Sequence, residues 1–175
     1  MSKRQETELE EATWKETQAE LEKGWIFLDE ENATEGKFVG KRFGIRQGPK
    51  IRVIDDCTCC GINLTVGLHE KFKLHSVDFL AAMLGCAMKL CPAEGRPTLK
   101  GRTYDLRSAY KQFAVHPDDR AVLRMGVNLP DSDKCAIIGF NSLPFGAVGS
   151  VAGFLRVSPL VSGLLWPWAS LECLL

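Results

Sequence analysis

The sequence predicts an α+β fold, and three observations lead to that prediction. The chain has 175 residues and is 45% apolar, which is enough for a domain with a buried core. Helix-forming residues dominate its first 25 positions, and short β-branched segments between glycine and proline turns follow. Apolar residues then recur at helical spacing after residue 76.

The N-terminal segment is predicted to be a helix. Residues 5–25 are rich in Glu, Ala, Gln and Lys, and contain no proline and no glycine until position 24. Trp14, Gln18, Leu21 and Trp25 share one face of that helix. We therefore expect the helix to pack on the rest of the protein through its tryptophans.

A basic, turn-rich stretch leads from this helix into a strand. Residues 32–49 hold four glycines and a proline among lysines and arginines, which predicts turns and short strands. Residues 51–54 are β-branched except for one arginine, so they predict a strand that Asp55 and Asp56 end.

The remaining segments predict one long helix and several short elements. Ser76 is a suitable N-cap for a helix that runs on from residue 77. Residues 99–105 predict a strand, and residues 109–113 a short helical turn. Residues 122–127 and residues 135–140 are predicted to form two paired strands. A proline-containing turn connects them.

A last helix is predicted from about residue 149, and an apolar tail follows it. Residues 157–171 carry no charge, but they number only fifteen and include Pro159 and Pro167. A membrane-spanning helix needs about 20 apolar residues, so we predict no membrane segment. We interpret so apolar a tail as typical of a truncated or frame-altered product.

Charge divides the chain into two parts. Residues 1–35 carry four basic and eleven acidic side chains, a net of −7, whereas residues 36–175 carry eighteen and eleven, a net of +7. Residues 36–111 alone carry fourteen basic and six acidic side chains. Positive charge at this density is typical of surfaces that bind phosphate groups, although many solvated faces are equally basic.

The seven cysteines predict reduced thiols. Their number is odd and the N-terminus lacks the apolar core of a signal peptide, so we expect an intracellular protein, in cytoplasm or nucleus. Cys57 and Cys60 form a Cys-x-x-Cys pair, with Cys86 and Cys91 further on, so a zinc module is one alternative. The wide spacing of the second pair and the lack of a histidine pair favour buried, apolar cysteines instead.

Two motifs carry the functional prediction. The segment Tyr104 to Phe113 places Asp105 at the end of an apolar strand and Tyr110 five residues later. Leu143-Pro144-Phe145-Gly146 is a turn that leads into a small-residue helix. Together with Lys50-Ile51-Arg52-Val53-Ile54-Asp55-Asp56, these motifs resemble the fingers and palm of reverse transcriptases in residue type, order and spacing.

The resemblance implies a right-hand polymerase and its chemistry. Such enzymes transfer deoxynucleotides to a primer on an RNA or DNA template and depend on Mg²⁺. Asp105 would be the catalytic carboxylate, and with the backbone carbonyl of Leu106 it would bind Mg²⁺, which prefers oxygen ligands.

Four further residues would bind the incoming nucleotide, again by resemblance. The guanidinium of Arg52 would grip the triphosphate, because its planar fork suits phosphate oxygens. The ring of Tyr110 would exclude a ribose 2′-hydroxyl, and Phe145 would line the pocket. Gly146 would let the backbone approach the base pair.

The resemblance covers about residues 12–155 and suggests four regions. These are an acidic helical segment at 1–35, a basic fingers-like region at 36–100, a partial palm at 101–156 and the apolar tail at 157–175.

The sequence also departs from the family pattern. Val151 stands where the family usually has proline, and the 175 residues contain no Tyr-x-Asp-Asp motif, which would supply two more aspartates. Asp118 and Asp119 follow Asp105 too closely to replace them. One carboxylate gives too little ligand charge for two Mg²⁺ ions, so we expect the isolated chain to be inactive.

Two other interpretations remain open besides the zinc module. A related RNA-dependent RNA polymerase is disfavoured by Tyr110, because RNA synthesis needs room for the 2′-hydroxyl. A non-catalytic nucleic-acid-binding remnant would keep the basic fingers and lack the chemistry, and its binding would weaken with salt.

Overall fold

The computed structural model describes residues 6–29, 39–67, 76–90 and 105–171, the last ten of these by their backbone only. Two compact units make up the chain. The first unit consists of Met1–Leu68 and Ser108–Leu175, and the second is His69–Arg107. The first unit thus takes residues from all four regions suggested above.

The first unit is a mixed α+β structure built on one five-stranded sheet. Its strands, in the order in which they lie side by side, are β1 (Ile26–Leu28), β5 (Cys135–Phe140), β4 (Arg124–Asn128), β2 (Val39–Gln47) and β3 (Lys50–Asp56). All neighbouring strands are antiparallel except β2 and β4, which are parallel. Helices α1 (Thr7–Glu22) and α3 (Val148–Leu171) complete the unit, with short 3-10 turns at Ile62–Leu64, Ala109–Gln112 and Pro117–Ala121.

The predicted hairpin of residues 122–140 is confirmed, with β4 and β5 antiparallel. Its strand β4 also pairs with β2, so the hairpin and the predicted strand at 51–54 belong to the same sheet. A strand was predicted at residues 99–105. Residues 99–104 lie outside the described residues, and Asp105, which is described, is not in a strand.

One long strand occupies residues 39–47, where short strands and turns were predicted as part of the segment 32–49; residues 32–38 of that segment lie outside the described residues. Strand β2 runs unbroken past Gly40 and Gly44, whose Cα atoms lie close to the side chains of Met125 and Thr13. Glycine at these positions therefore allows close packing within a strand. The hairpin turn comes at Gly48, where φ is +59°, a conformation that glycine adopts without strain.

The core of the first unit is formed mainly by the central strands. Met125, Val127, Ile138 and Phe140 are fully buried, and Ile26 joins them from β1. The predicted N-terminal helix is confirmed as α1, and Trp14 and Leu21 pack against this core as expected.

The most buried face of α1 is nevertheless polar, which the sequence pattern did not predict. It presents Glu10, Thr13, Thr17 and Glu20 to the sheet, whereas Gln18 is exposed. The two threonine hydroxyls donate to the carbonyls of Leu9 and Thr13 on the same helix, and Glu10 accepts a hydrogen bond from Asn128 at 3.1 Å. Hydrogen bonds within the helix and from strand β4 to the helix thus satisfy groups that would otherwise be costly to bury.

Helix α2 (Val77–Leu90) belongs to the second unit, and it begins as predicted. The hydroxyl of Ser76 accepts a hydrogen bond from the backbone N–H of Phe79, which makes Ser76 its N-cap. In the first unit, the backbone of α3 continues through Pro159 and Pro167 to Leu171. None of the described helices has the length and apolar character that crossing a membrane requires.

Candidate functional site

The two motifs of the first unit lie side by side because their backbones are hydrogen-bonded. The N–H of Leu143 donates to the carbonyl of Phe113 at 2.9 Å, and the N–H of Val115 donates to that of Asn141 at 2.9 Å. This bridge holds the turn that carries Tyr110 next to the turn that carries Phe145. Their rings meet edge to face, with centroids 5.3 Å apart.

A cavity of about 400 Å³ opens between helix α1, the edge strand β3 and the turn at Phe145. Arg52 and Phe145, which are 93 positions apart in sequence, both line it. In the described part of the chain the guanidinium of Arg52 has no hydrogen-bond or ion-pair partner. Arg52 is exposed and Phe145 is 63% exposed, so both are accessible to a ligand.

Gly146 lies behind Phe145, directly on the backbone of strand β3. A Cβ atom at this position would collide with the carbonyl oxygen of Asp55, so no other residue fits without a shift. The side chain of Asn63 fixes the same turn. Its amide donates to the carbonyl of Gly146 at 3.3 Å, and its oxygen accepts from the N–H of Val148 at 2.9 Å.

Asn63 thereby caps the N-terminus of helix α3, although it is 85 residues away in the sequence. Val148 is the first residue of the helix, so its N–H would otherwise lack an acceptor. The amide of Asn63 also donates to the hydroxyl of Thr58 at 2.9 Å, which ties the loop after β3 to the turn at Gly146. Nothing in the sequence indicated these contacts.

The inner wall of the cavity is a cluster of buried charges. Arg42 donates from Nη2 to Glu20 Oε2 at 2.6 Å, and the Nζ atom of Lys111 lies 3.0 Å from Glu20 Oε1. The Nε atom of Arg42 lies 3.5 Å from Asp55 Oδ1. Sequence reasoning assigned no site role to Glu20, Arg42 or Lys111, because single charged residues in a helix or strand normally face solvent.

Asp55 and Asp56 have opposite electrostatic environments although they are adjacent. Burial raises the pKa of Asp55, and Glu20 adds to the rise while Arg42 and Lys111 oppose it. Backbone N–H groups of Cys59 and Thr58 donate to Asp56 and lower the pKa of its carboxyl. Burial also raises the pKa of the Cys57 thiol to about 12, so this thiol is held protonated.

Asp105 and Leu106 belong to the second unit, where both are exposed. Of the predicted site residues, the first unit brings together Arg52, Tyr110, Phe145 and Gly146. Among the residues that the structure describes, no group of three or more His, Cys, Asp or Glu side chains is placed to hold a metal ion.

No known family model matches the chain. A comparison with curated proteins found no significant match either.

Proposed function

We propose that the chain is a reverse-transcriptase-like fingers and partial palm that binds a deoxynucleoside triphosphate and an RNA or DNA template-primer. The observation that carries this proposal is the meeting of Arg52 and Phe145 at one cavity, with the ring of Tyr110 against Phe145. The resemblance to reverse-transcriptase motifs singles out these three residues, whereas composition and periodicity do not. Nothing in their sequence spacing alone would bring them together.

Each residue has a role suited to its chemistry. Arg52, which is exposed at the cavity, binds phosphate oxygens through its planar guanidinium. Phe145 offers a partly exposed ring on which a base can stack. The ring of Tyr110 packs against Phe145 and limits the space beside the sugar of the nucleotide. Gly146 keeps the turn close to strand β3.

We propose that these 175 residues by themselves bind ligands but do not catalyse nucleotide transfer. Asp105 is the one carboxylate that the resemblance assigns to the Mg²⁺ ions within these residues, and the carbonyl of Leu106 adds only one neutral oxygen ligand. A pair of Mg²⁺ ions needs more ligand charge than this. We propose that the chain binds nucleic acid through its basic residues and does not extend a primer unaided.

Two assays on the same preparation test the proposal. Nucleic-acid binding should weaken steeply as salt rises, and Arg52→Gln should reduce the affinity for dATP about tenfold, the effect of losing a charge-assisted hydrogen bond. Primer extension with Mg²⁺ should stay at background. Unchanged dATP binding in the Arg52 variant would contradict the nucleotide site, and Asp105-dependent extension would contradict the proposed inactivity.

Binding of nucleic acid without any binding of dATP would instead favour the non-catalytic remnant. In that case Phe145→Ala should weaken single-stranded nucleic acid binding, because its exposed ring would stack on bases. Exposed Leu64→Ala is the matched control, since Leu64 does not line the cavity.

A further inference from the structure

The inner wall of the cavity holds more hydrogen-bond donors than its carboxylates accept. Nε and Nη1 of Arg42 and Nζ of Lys111 are buried, and none makes a hydrogen bond of good geometry to any described residue. Oδ1 of Asp55 is likewise buried without a hydrogen bond of good geometry, and it lies 3.5 Å from Arg42 Nε, so it can take up only part of this donor excess. The side chains are 2% and 12% exposed. An arginine has five N–H donors and a lysine three, so both retain donors after pairing with Glu20.

The charge balance of the interior favours an anion when Asp55 is neutral. Both oxygens of Glu20 already face cations, Oε2 toward Arg42 and Oε1 toward Lys111. Burial raises the pKa of Asp55 and so favours its neutral acid compared with an ordinary aspartic acid. When Asp55 is neutral, two cations face one carboxylate. Glu16 also lines the cavity, but its side chain is exposed, so solvent screens its charge.

We propose that this cavity contains an inner subsite for a phosphate-type oxyanion, received by Lys111 and Arg42, with Arg52 as the outer contact. The cavity volume of about 400 Å³ lies within the range of small-ligand sites. A polyphosphate chain fits the arrangement because its successive oxyanions can occupy the outer and inner positions together. The inference goes beyond the proposed function, which assigns a phosphate contact to Arg52 alone and would stand without an inner subsite.

Titration of the 175-residue chain with inorganic tripolyphosphate at low salt tests the proposal. Calorimetry should show saturable binding of one anion, and amide signals of Arg42, Asp55 and Lys111 should shift in the NMR spectrum of the unmodified chain. Lys111→Met and Arg52→Gln should each weaken binding about tenfold. Lys134→Gln removes a positive charge outside the cavity and should leave the affinity unchanged.

Lys111→Arg keeps the charge beside Glu20 and provides a second variant in case the methionine variant does not fold. It should retain binding within a few-fold. Parallel titrations with dATP and with deoxyadenosine distinguish a nucleotide from free polyphosphate as the source of the anion. Tighter binding of dATP than of tripolyphosphate identifies the nucleotide, whereas equal binding identifies the phosphate chain alone.

Three results would overturn the inner subsite. These are no binding of tripolyphosphate by the unmodified chain, an equal loss in the Lys134 control, and full affinity in folded Lys111→Met. In the third case, a loss confined to Arg52→Gln would leave the proposed nucleotide function intact while the inner subsite fails.

Discussion

The Cα atom of Gly146 lies against the main-chain carbonyl of Asp55, which comes 91 residues earlier in the chain. This contact joins the turn of one motif to the edge strand of another. Because the opposing atom is backbone, it cannot move aside as the tip of a side chain can. The position of Phe145 at the cavity therefore depends on the absence of a side chain at residue 146.

Gly146→Ala should lower the free energy of unfolding by about 1–3 kcal/mol, because the added methyl group must push the turn off strand β3. Gly149→Ala is the matched control. A Cβ there would contact Val66 at 3.5 Å, an ordinary distance, and alanine favours the helix by about 0.5–1 kcal/mol. Urea denaturation followed by tryptophan fluorescence measures both, and equal effects of the two variants would contradict the close-contact argument.

Asn63→Ala should destabilise the protein by about 0.5–2 kcal/mol, the usual cost of losing a helix cap, because it leaves the N–H of Val148 and the carbonyl of Gly146 without their acceptor and donor. Asn63→Asp should cost less. It keeps an acceptor for Val148, and a negative charge is favourable at the N-terminus of helix α3.

The control for this series is Asn141→Ala, which removes one exposed hydrogen bond to the carbonyl of Gly24. Its effect in the same urea assay should be the smallest of the three. If Asn63→Asp is as destabilising as Asn63→Ala, then Asn63 does not stabilise the start of α3.

Several regular elements of the fold were predictable because each has a local cause, whereas strand β1 was not predicted and β2 was predicted as shorter pieces. The composition of α1, the N-cap at Ser76 and the proline-containing turn of the β4–β5 hairpin all act within a few residues. The pairing of β2 with β4 was not predictable in the same way. It joins residues more than 80 positions apart, and no local pattern specifies it.

The candidate site was predictable only in part, for a similar reason. The motif resemblance selected Arg52, Tyr110 and Phe145, which the first unit brings together. It gave no indication that Glu20 and Lys111 are neighbours, because a buried ion cluster breaks the hydrophobic pattern from which burial is inferred. Such clusters depend on tertiary contacts and leave no periodic signal in the sequence.

Glu20→Gln should destabilise the protein by about 3 kcal/mol or more, because it leaves the buried cations of Arg42 and Lys111 without their carboxylate. Glu8→Gln is the control on the same helix. Glu8 pairs with Arg46, which lies on β2 as Arg42 does. The side chains of Glu8 and Arg46 are 62% and 52% exposed, so solvent screens the pair and the loss of stability should be far smaller. Thermal denaturation at neutral pH measures both variants, and similar losses would show that the Glu20 cluster is not desolvated in solution.

The contributions of Asp55 and Asp56 to the free energy of unfolding should change with pH in opposite directions. Burial raises the folded-state pKa of Asp55 above its ordinary value of 3.8, so the folded protein binds that proton more tightly than the unfolded chain. Its contribution is therefore fully present below the ordinary value and is lost as pH rises through the raised folded value. Asp55→Asn should remove this decline.

Asp56 has the reverse sign, because backbone hydrogen bonds lower its folded-state pKa below 3.8. Its contribution is present above the ordinary value and is lost as pH falls through the lowered one. Urea midpoints measured from pH 3 to pH 8 separate the two: relative to the unmodified chain, Asp55→Asn should gain stability toward neutral pH, whereas Asp56→Asn should lose it. The adjacent residues serve as controls for each other, since both substitutions remove one carboxylate from the end of β3. If both variants change the pH profile in the same direction, then burial at Asp55 does not outweigh its attraction to Arg42 and Lys111.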